Sequence, residues 1–181
     1  MLHASFLTSF PLLGLRLKAA TRQPAWRAWA AVAVAAMLAA CASPPPPVVS
    51  TVQVTVVAGP DTNPDARKRA SPVTVRMYAL KSSAPFDAAD FFSLFDKDTA
   101  TLGAELVQRE EMLMTPGQQK SLALKLGPEV KAIAFLVAFR DLERARWRAV
   151  QVVDIGKTAE LTAKIAGSQV SLEHKVIVVK K

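Results

Sequence analysis

Few side chains in this sequence are equipped for chemistry. The only cysteine is Cys41, in the stretch MLAACASPPPPVV between an alanine-rich apolar run and four prolines. The only histidines are His3 and His174. A single cysteine closes no intramolecular disulfide. A structural zinc site takes about four Cys or His ligands, which the chain does not have. Ser-His-Asp or Cys-His catalysis would rest on His174, and no supporting motif surrounds it. Asp87, Asp90, Asp96 and Asp98 are clustered, but the glycine and terminal glutamate of a calcium loop are missing at the required spacing. They read as helix caps and solvated charges, with Asp87 as the N-cap. The expectation is a protein that is not an enzyme and holds no metal and no cofactor.

Cys41 fits neither common role of a free thiol, buried hydrophobe or reactive group in a fold, because a proline run is not part of a packed core. Its context is an address. Arg16, Lys18, Arg22 and Arg27 give residues 1–40 four cations and no acid. Thirteen uncharged residues, AWAAVAVAAMLAA, then lead to the cysteine. A membrane-spanning helix needs roughly 20 apolar residues, whereas the apolar region of a secretory signal takes about 7–15 behind a basic segment. Leu38-Ala39-Ala40-Cys41 resembles a bacterial lipobox. The resemblance implies cleavage between Ala40 and Cys41 and a covalent lipid, palmitate among its chains, on Cys41. One acyl chain holds a protein to a bilayer only marginally, while two or more hold it stably. Ala42 is not the aspartate associated with inner-membrane retention, so the expected destination is the periplasmic face of the outer membrane.

Three segments are expected: a lipoprotein signal peptide at 1–40, a lipidated cysteine and Pro-rich tether at 41–50, and one domain at 51–181. Extended as polyproline II, the tether spans roughly 30 Å. With 51% hydrophobic residues the domain has material for a core. The net charge of +8 is half accounted for by the signal segment, and the mild remaining excess does not call for nucleic acid.

The domain reads as strands. Val52, Val54 and Val56 alternate with polar residues, as do Val73, Val75 and Met77. Leu122, Leu124 and Leu126 form another face, followed by Leu161, Ala163 and Ile165 and a last stripe of Val170, Leu172, Val176 and Val178. AIAFLVAF at 132–139 is apolar on both faces, which predicts a central strand covered on each side. Thr115-Pro116-Gly117-Gln118 has the residues of a type II turn and predicts a hairpin joining strands near 105–114 and 118–126. A helical insertion is expected near 86–102, with Phe91, Phe92 and Phe95 packing on a sheet. About eight strands in this length predict an all-β fold, a two-sheet β-sandwich. Trp147 is read as packing at the sandwich edge or core, and His174 as a satisfied core or edge histidine. Arg140-Asp141 reads as a strand end with a local ion pair, and the alternative reading is a docking pair.

Several stretches together carry a family resemblance: the lipobox, SPVTVRMYALKSSAPFDAADFFSLF at 71–95, the Pro-Gly turn at 116–117, and VAFRDLERARWRAV at 137–150. The most specific residues are Arg76, Tyr78, Leu80 and Lys81, then Phe86, Ala89, Asp90 and Phe91, then Phe139, Arg140, Asp141, Trp147 and Arg148. Their order and spacing resemble the outer-membrane lipoprotein of the type VI secretion system, the TssJ family. The resemblance implies a transthyretin-like sandwich. It also implies a role in anchoring the membrane core complex by binding the periplasmic C-terminal region of the large inner-membrane subunit. By position in the family, the segment GPDTNPDARKRAS at 59–71 is the candidate contact, with Asn63, Asp65, Arg67, Lys68 and Arg69 as partner-binding residues. The alternative reading is a periplasmic ligand- or polysaccharide-binding lipoprotein on the same sandwich, which would need a pocket lined with aromatic and polar groups. Some transthyretin-like proteins hydrolyse cyclic ureides using a characteristic C-terminal motif, and HKVIVVKK lacks it.

Overall fold

The computed structural model of the chain describes residues 49–154 and 158–177. The expected signal segment, Ala40, Cys41, most of the tether, Val178 and the terminal lysines lie outside them. Eight strands are present: β1 (Ser50–Ala58), β2 (Val73–Leu80), β3 (Leu106–Met114), β4 (Gln119–Leu126), β5 (Ala132–Ala138), β6 (Arg148–Val152), β7 (Thr158–Ala166) and β8 (Gln169–Ile177). They form two four-stranded sheets, ordered β4-β1-β7-β8 and β3-β2-β5-β6. β1 and β7 run parallel, and every other pairing is antiparallel. The all-β sandwich expected from the alternation is the fold observed.

Alternation decides which side chains meet between the sheets, because successive residues of a strand point to opposite faces. Val52, Val54 and Val56 of β1 and Leu161, Ala163 and Ile165 of β7 pack against Val73, Val75 and Met77 of β2 and Ile133, Phe135 and Val137 of β5. The other face of the second sheet is also covered. Tyr78 and Leu80 of β2 and Ala132, Ala134 and Leu136 of β5 pack under two helices through Phe86, Phe91, Leu94 and Leu102. β5 is thus buried on both sides, which is why its sequence does not alternate.

The helical insertion is divided. α1 spans Ala84–Ala88 and α2 spans Phe91–Leu102, with Ala89 extended between them. Asp87 therefore lies inside α1, and the N-cap of α2 is Asp90, whose side chain accepts from the Ser93 amide. Ser93, three residues on, also donates its hydroxyl to the same carboxylate at 2.6 Å, and Asp87 has no such neighbour. A 3-10 turn at Gly103–Glu105 leads into β3.

The expected hairpin at Thr115–Gln118 does not form. The turn itself does: the Gln118 amide donates to the Thr115 carbonyl at 3.0 Å and Gly117 sits at φ 78°. But β3 pairs with β2 and β4 pairs with β1, so the turn crosses from one sheet to the other. A type II turn twists against the right-handed twist of paired strands and splays them. Here the splay serves the crossing, and the turn is tied to the end of β1 by Gly117 N–H to Gly59 O and Ala58 N–H to Gln118 O.

The register divides the domain into two ends. Ser50 pairs with Leu126 at one end of the first sheet, and Val57 pairs with Gln119 at the other. Segments 59–72, 115–118, 139–147 and 167–168 all belong to the end away from Ser50. Hydrogen bonds join them there, among them Asn63 N–H to Gly167 O, Gly117 N–H to Gly59 O and Arg146 N–H to Ser168 O. With strands of eight or nine residues, that end stands about 25 Å from where β1 begins.

Candidate docking site at the loop end

The site is built around the 59–72 loop. Its first half is anchored. Thr62 and Asn63 are buried, and Asn63 takes φ 52°, a backbone state that asparagine tolerates better than most residues. Its side chain is used at both ends: Nδ2 donates to Pro72 O at 2.9 Å, and Oδ1 accepts from the Arg140 amide at 2.8 Å. The Asn63 carbonyl accepts from the Ser71 hydroxyl at 2.8 Å. Asn63 therefore stitches both ends of the loop to the end of β5.

Asp65 organises the second half. Its Oδ1 accepts the amides of Arg67 and Arg69, and its Oδ2 accepts Arg69 Nε at 2.7 Å. The Arg69 guanidinium completes an ion pair with Oδ2, also at 2.7 Å, while remaining largely exposed. Hydrogen bonds from Arg69, backbone first and then side chain, hold the Asp65 carboxyl below its ordinary value, and the charge of Arg140 adds to this. Lys68 occupies the positive-φ position at the bend, φ 61°. Arg67 and Lys68 point to solvent. Of the five residues singled out in the sequence, Asn63 and Asp65 shape the loop and Arg67, Lys68 and Arg69 form its exposed basic surface.

Sequence reasoning missed Arg140 as a member of this loop. The expected ion pair with Asp141 is not among those made by the described residues. Instead Arg140 Nη2 reaches Ser71 Oγ at 3.2 Å. Asp65, Arg69, Ala70, Ser71 and Arg140 line a shallow depression of about 290 Å³. The only sequence signal was an arginine directly after an apolar strand, and which loop it would meet depends on strand order.

The other motif residues hold the scaffold. Arg76 donates from Nε to Glu111 at 2.5 Å and bonds the Phe95 carbonyl, while its guanidinium lies 4.3 Å from the Phe95 ring centre. Asp98, read from the sequence as a solvated charge, is instead buried. It pairs with Arg109 at 2.8 Å and with Arg76 at 3.6 Å. Its position facing β2 and β3 follows from α2 packing down on the sheet, which the helical spacing alone did not specify. Arg148 donates to the carbonyls of Phe86 and Ala89 and lies over Trp147, which packs edge-on against Phe91. Trp147 thus belongs to the core margin, as expected.

Two further expectations need correction. Phe91 and Phe95 stack together, but Phe92 is 64% exposed, because it lies beside the face that buries Phe91, Leu94, Asp98 and Leu102 and meets only the edge of Phe91. His174 is partly buried, and its Nε2 has no hydrogen-bond partner among the described residues. Its cross-strand neighbour is Leu161, which has no polar side-chain group to offer. Among the described residues, no group of His, Cys, Asp and Glu side chains converges to hold a metal ion.

A family model described as type VI secretion lipoprotein, VasD, EvfM, TssJ, VC_A0113 matches residues 50–169. The T6SS lipoprotein TssJ1 from Pseudomonas aeruginosa is 33% identical, with a TM-score of 0.68 over 72% of this chain and 98% of that one. Serratia marcescens Lip, a membrane bound component of the type VI secretion system, is 22% identical, with a TM-score of 0.63 over 68% of this chain and 97% of that one. A chain solved as T6SS protein TssM C-terminal domain from EAEC is 21% identical, with a TM-score of 0.57 over 70% of this chain and 98% of that one. The last two likenesses speak for the fold alone. No curated protein sequence matches this chain.

Proposed function

The chain belongs to the TssJ family of type VI secretion lipoproteins, and from that premise we propose that it anchors the secretion system's membrane core complex at the outer membrane. In this reading the precursor is cleaved between Ala40 and Cys41, and lipid on Cys41 holds the mature protein to the periplasmic face. The loop end of the sandwich then binds the periplasmic C-terminal region of the large inner-membrane subunit, a TssM-type protein. The domain works as a rigid adaptor and performs no chemistry.

One observation carries the reading. The chain enters the domain at Ser50, and the 59–72 loop is held at the end away from it. A lipid attached upstream of Ser50 pulls on one end of the sandwich and leaves the other free for a protein partner. Loops fixed on a rigid scaffold are suited to binding, and the bonds of Asn63 and Asp65 fix this loop before any partner arrives. Pre-ordering lowers the entropic cost of association.

Two measurements test the reading. Labelled palmitate is expected to enter the native chain and not Cys41→Ser, with the variant released from the membrane fraction. An unlabelled native chain that retains residues before Cys41 would contradict the anchor. The full chain in detergent is expected to bind the periplasmic C-terminal region of the large subunit at micromolar concentration or below, and no association there would remove the partner.

A further inference from the structure

We propose that the depression beside Arg140 is a receptor for a carboxylate side chain of the docked protein, gripped chiefly by the Arg140 guanidinium. This rests on the reading of the loop end as the docking surface and names the chemistry it recognises. Within the depression the two cations are not equivalent. Arg69 already has an anion, since Asp65 Oδ2 takes both its Nε and its Nη2 at 2.7 Å. Asp65 Oδ1 is occupied by two amides. Arg140 hydrogen-bonds only a neutral group with its side chain, the Ser71 hydroxyl; its charge reaches Asp65 across the depression, but no carboxylate of the described residues forms an ion pair with it.

Ser71 sends its own proton to Asn63 O, so its oxygen faces Arg140 as an acceptor and holds the guanidinium in one orientation. A guanidinium offers five N–H donors, and a carboxylate matches it in a paired, charge-assisted geometry. Exposed Arg67 and Lys68 add positive potential beside it. A lipid phosphate would satisfy the same chemistry. The position argues for protein, because the depression belongs to the end of the domain away from Ser50, the residue by which the chain enters it.

The test uses the full chain in detergent and three probes: a fluorescent hexaglutamate peptide, phosphatidylglycerol vesicles (with Cys41→Ser as background), and the periplasmic C-terminal region of the large subunit. The native chain is expected to bind hexaglutamate in a salt-sensitive manner. Arg140→Met is expected to weaken that binding about tenfold, and Arg140→Glu to abolish it. Affinity for the large subunit should fall in the same order. The bond from the Arg140 amide to Asn63 survives either change, and thermal melting verifies folding; if Arg140→Glu is unfolded, Arg140→Met decides. Unchanged binding of both peptide and large subunit by the Arg140 variants overturns the inference. So does Arg140-dependent binding to vesicles without binding to the peptide. If the large subunit binds but ignores Arg140, the docking reading stands and this inference falls. If hexaglutamate binds through Arg140 and the large subunit does not bind at all, the receptor stands and the assigned partner falls.

Discussion

Asp98 is the charged residue that the described part of the scaffold buries. It sits between Arg109 at 2.8 Å and Arg76 at 3.6 Å, and the Tyr78 hydroxyl approaches the same oxygen at 3.4 Å. Burial pushes its carboxyl up. The hydrogen bond from Arg109, the Thr99 amide and the charges of Arg109 and Arg76 outweigh that and hold it below the ordinary value. Burial likewise pushes the Tyr78 phenol up to about 12. A depressed carboxyl contributes stability that is present above its unfolded value, about 3.9, and is lost as pH falls below it. Asp98→Asn keeps the shape and leaves Arg76 without its buried anion, at a cost of about 2 kcal/mol near neutral pH. Urea unfolding should show that gap at pH 7 and a narrower one at pH 3; an equal gap at both would remove the charge from the explanation. None of this was readable from the sequence, where Asp98 was one of four similar aspartates. Its burial follows from a helix lying on a sheet, a contact between segments far apart in the chain. Arg140 was misread for the same reason, since its partners Asn63 and Ser71 come from the first loop.

Elements were more legible than residues. Each alternating run became a strand, and the doubly apolar run became β5, because burial on one face or two writes itself into local composition. What failed was pairing. The Pro116-Gly117 turn announced its type, but only the geometry of that type, splaying where a hairpin needs twist, shows why β3 and β4 part into different sheets. The helical segment was placed correctly, and its start was not. Asp90, with both oxygens bonded to Ser93, caps α2. Asp90→Ala should lower stability by leaving the Ser93 amide without its cap, read as a lower unfolding midpoint. Because α2 carries Phe91 and Leu94 onto the sheet, loss of that cap should also loosen the packing of Trp147. Tryptophan fluorescence of the folded variant, unchanged in position, would argue that the cap is incidental.

At the scale of the molecule, the proposed function assigns the point where the chain enters and the loop cluster, at opposite ends of one sandwich, to anchoring and docking. Leu38-Ala39-Ala40-Cys41 resembles a lipobox, and family membership places the chain among type VI secretion lipoproteins. Strand order was beyond the sequence, and with it the fact that loops 59–72, 115–118, 139–147 and 167–168 share one end while Ser50 begins at the other. The central claim is that the loop end meets the large inner-membrane subunit. Photo-crosslinking in intact cells tests it most directly, with the reactive side chain placed in turn at Lys68 on the loop and at Lys125, which pairs with Thr51 near the opposite end. The account predicts a crosslink to the large subunit from position 68 and none from position 125. A crosslink from 125 alone, or from neither position in cells assembling the complex, would contradict it.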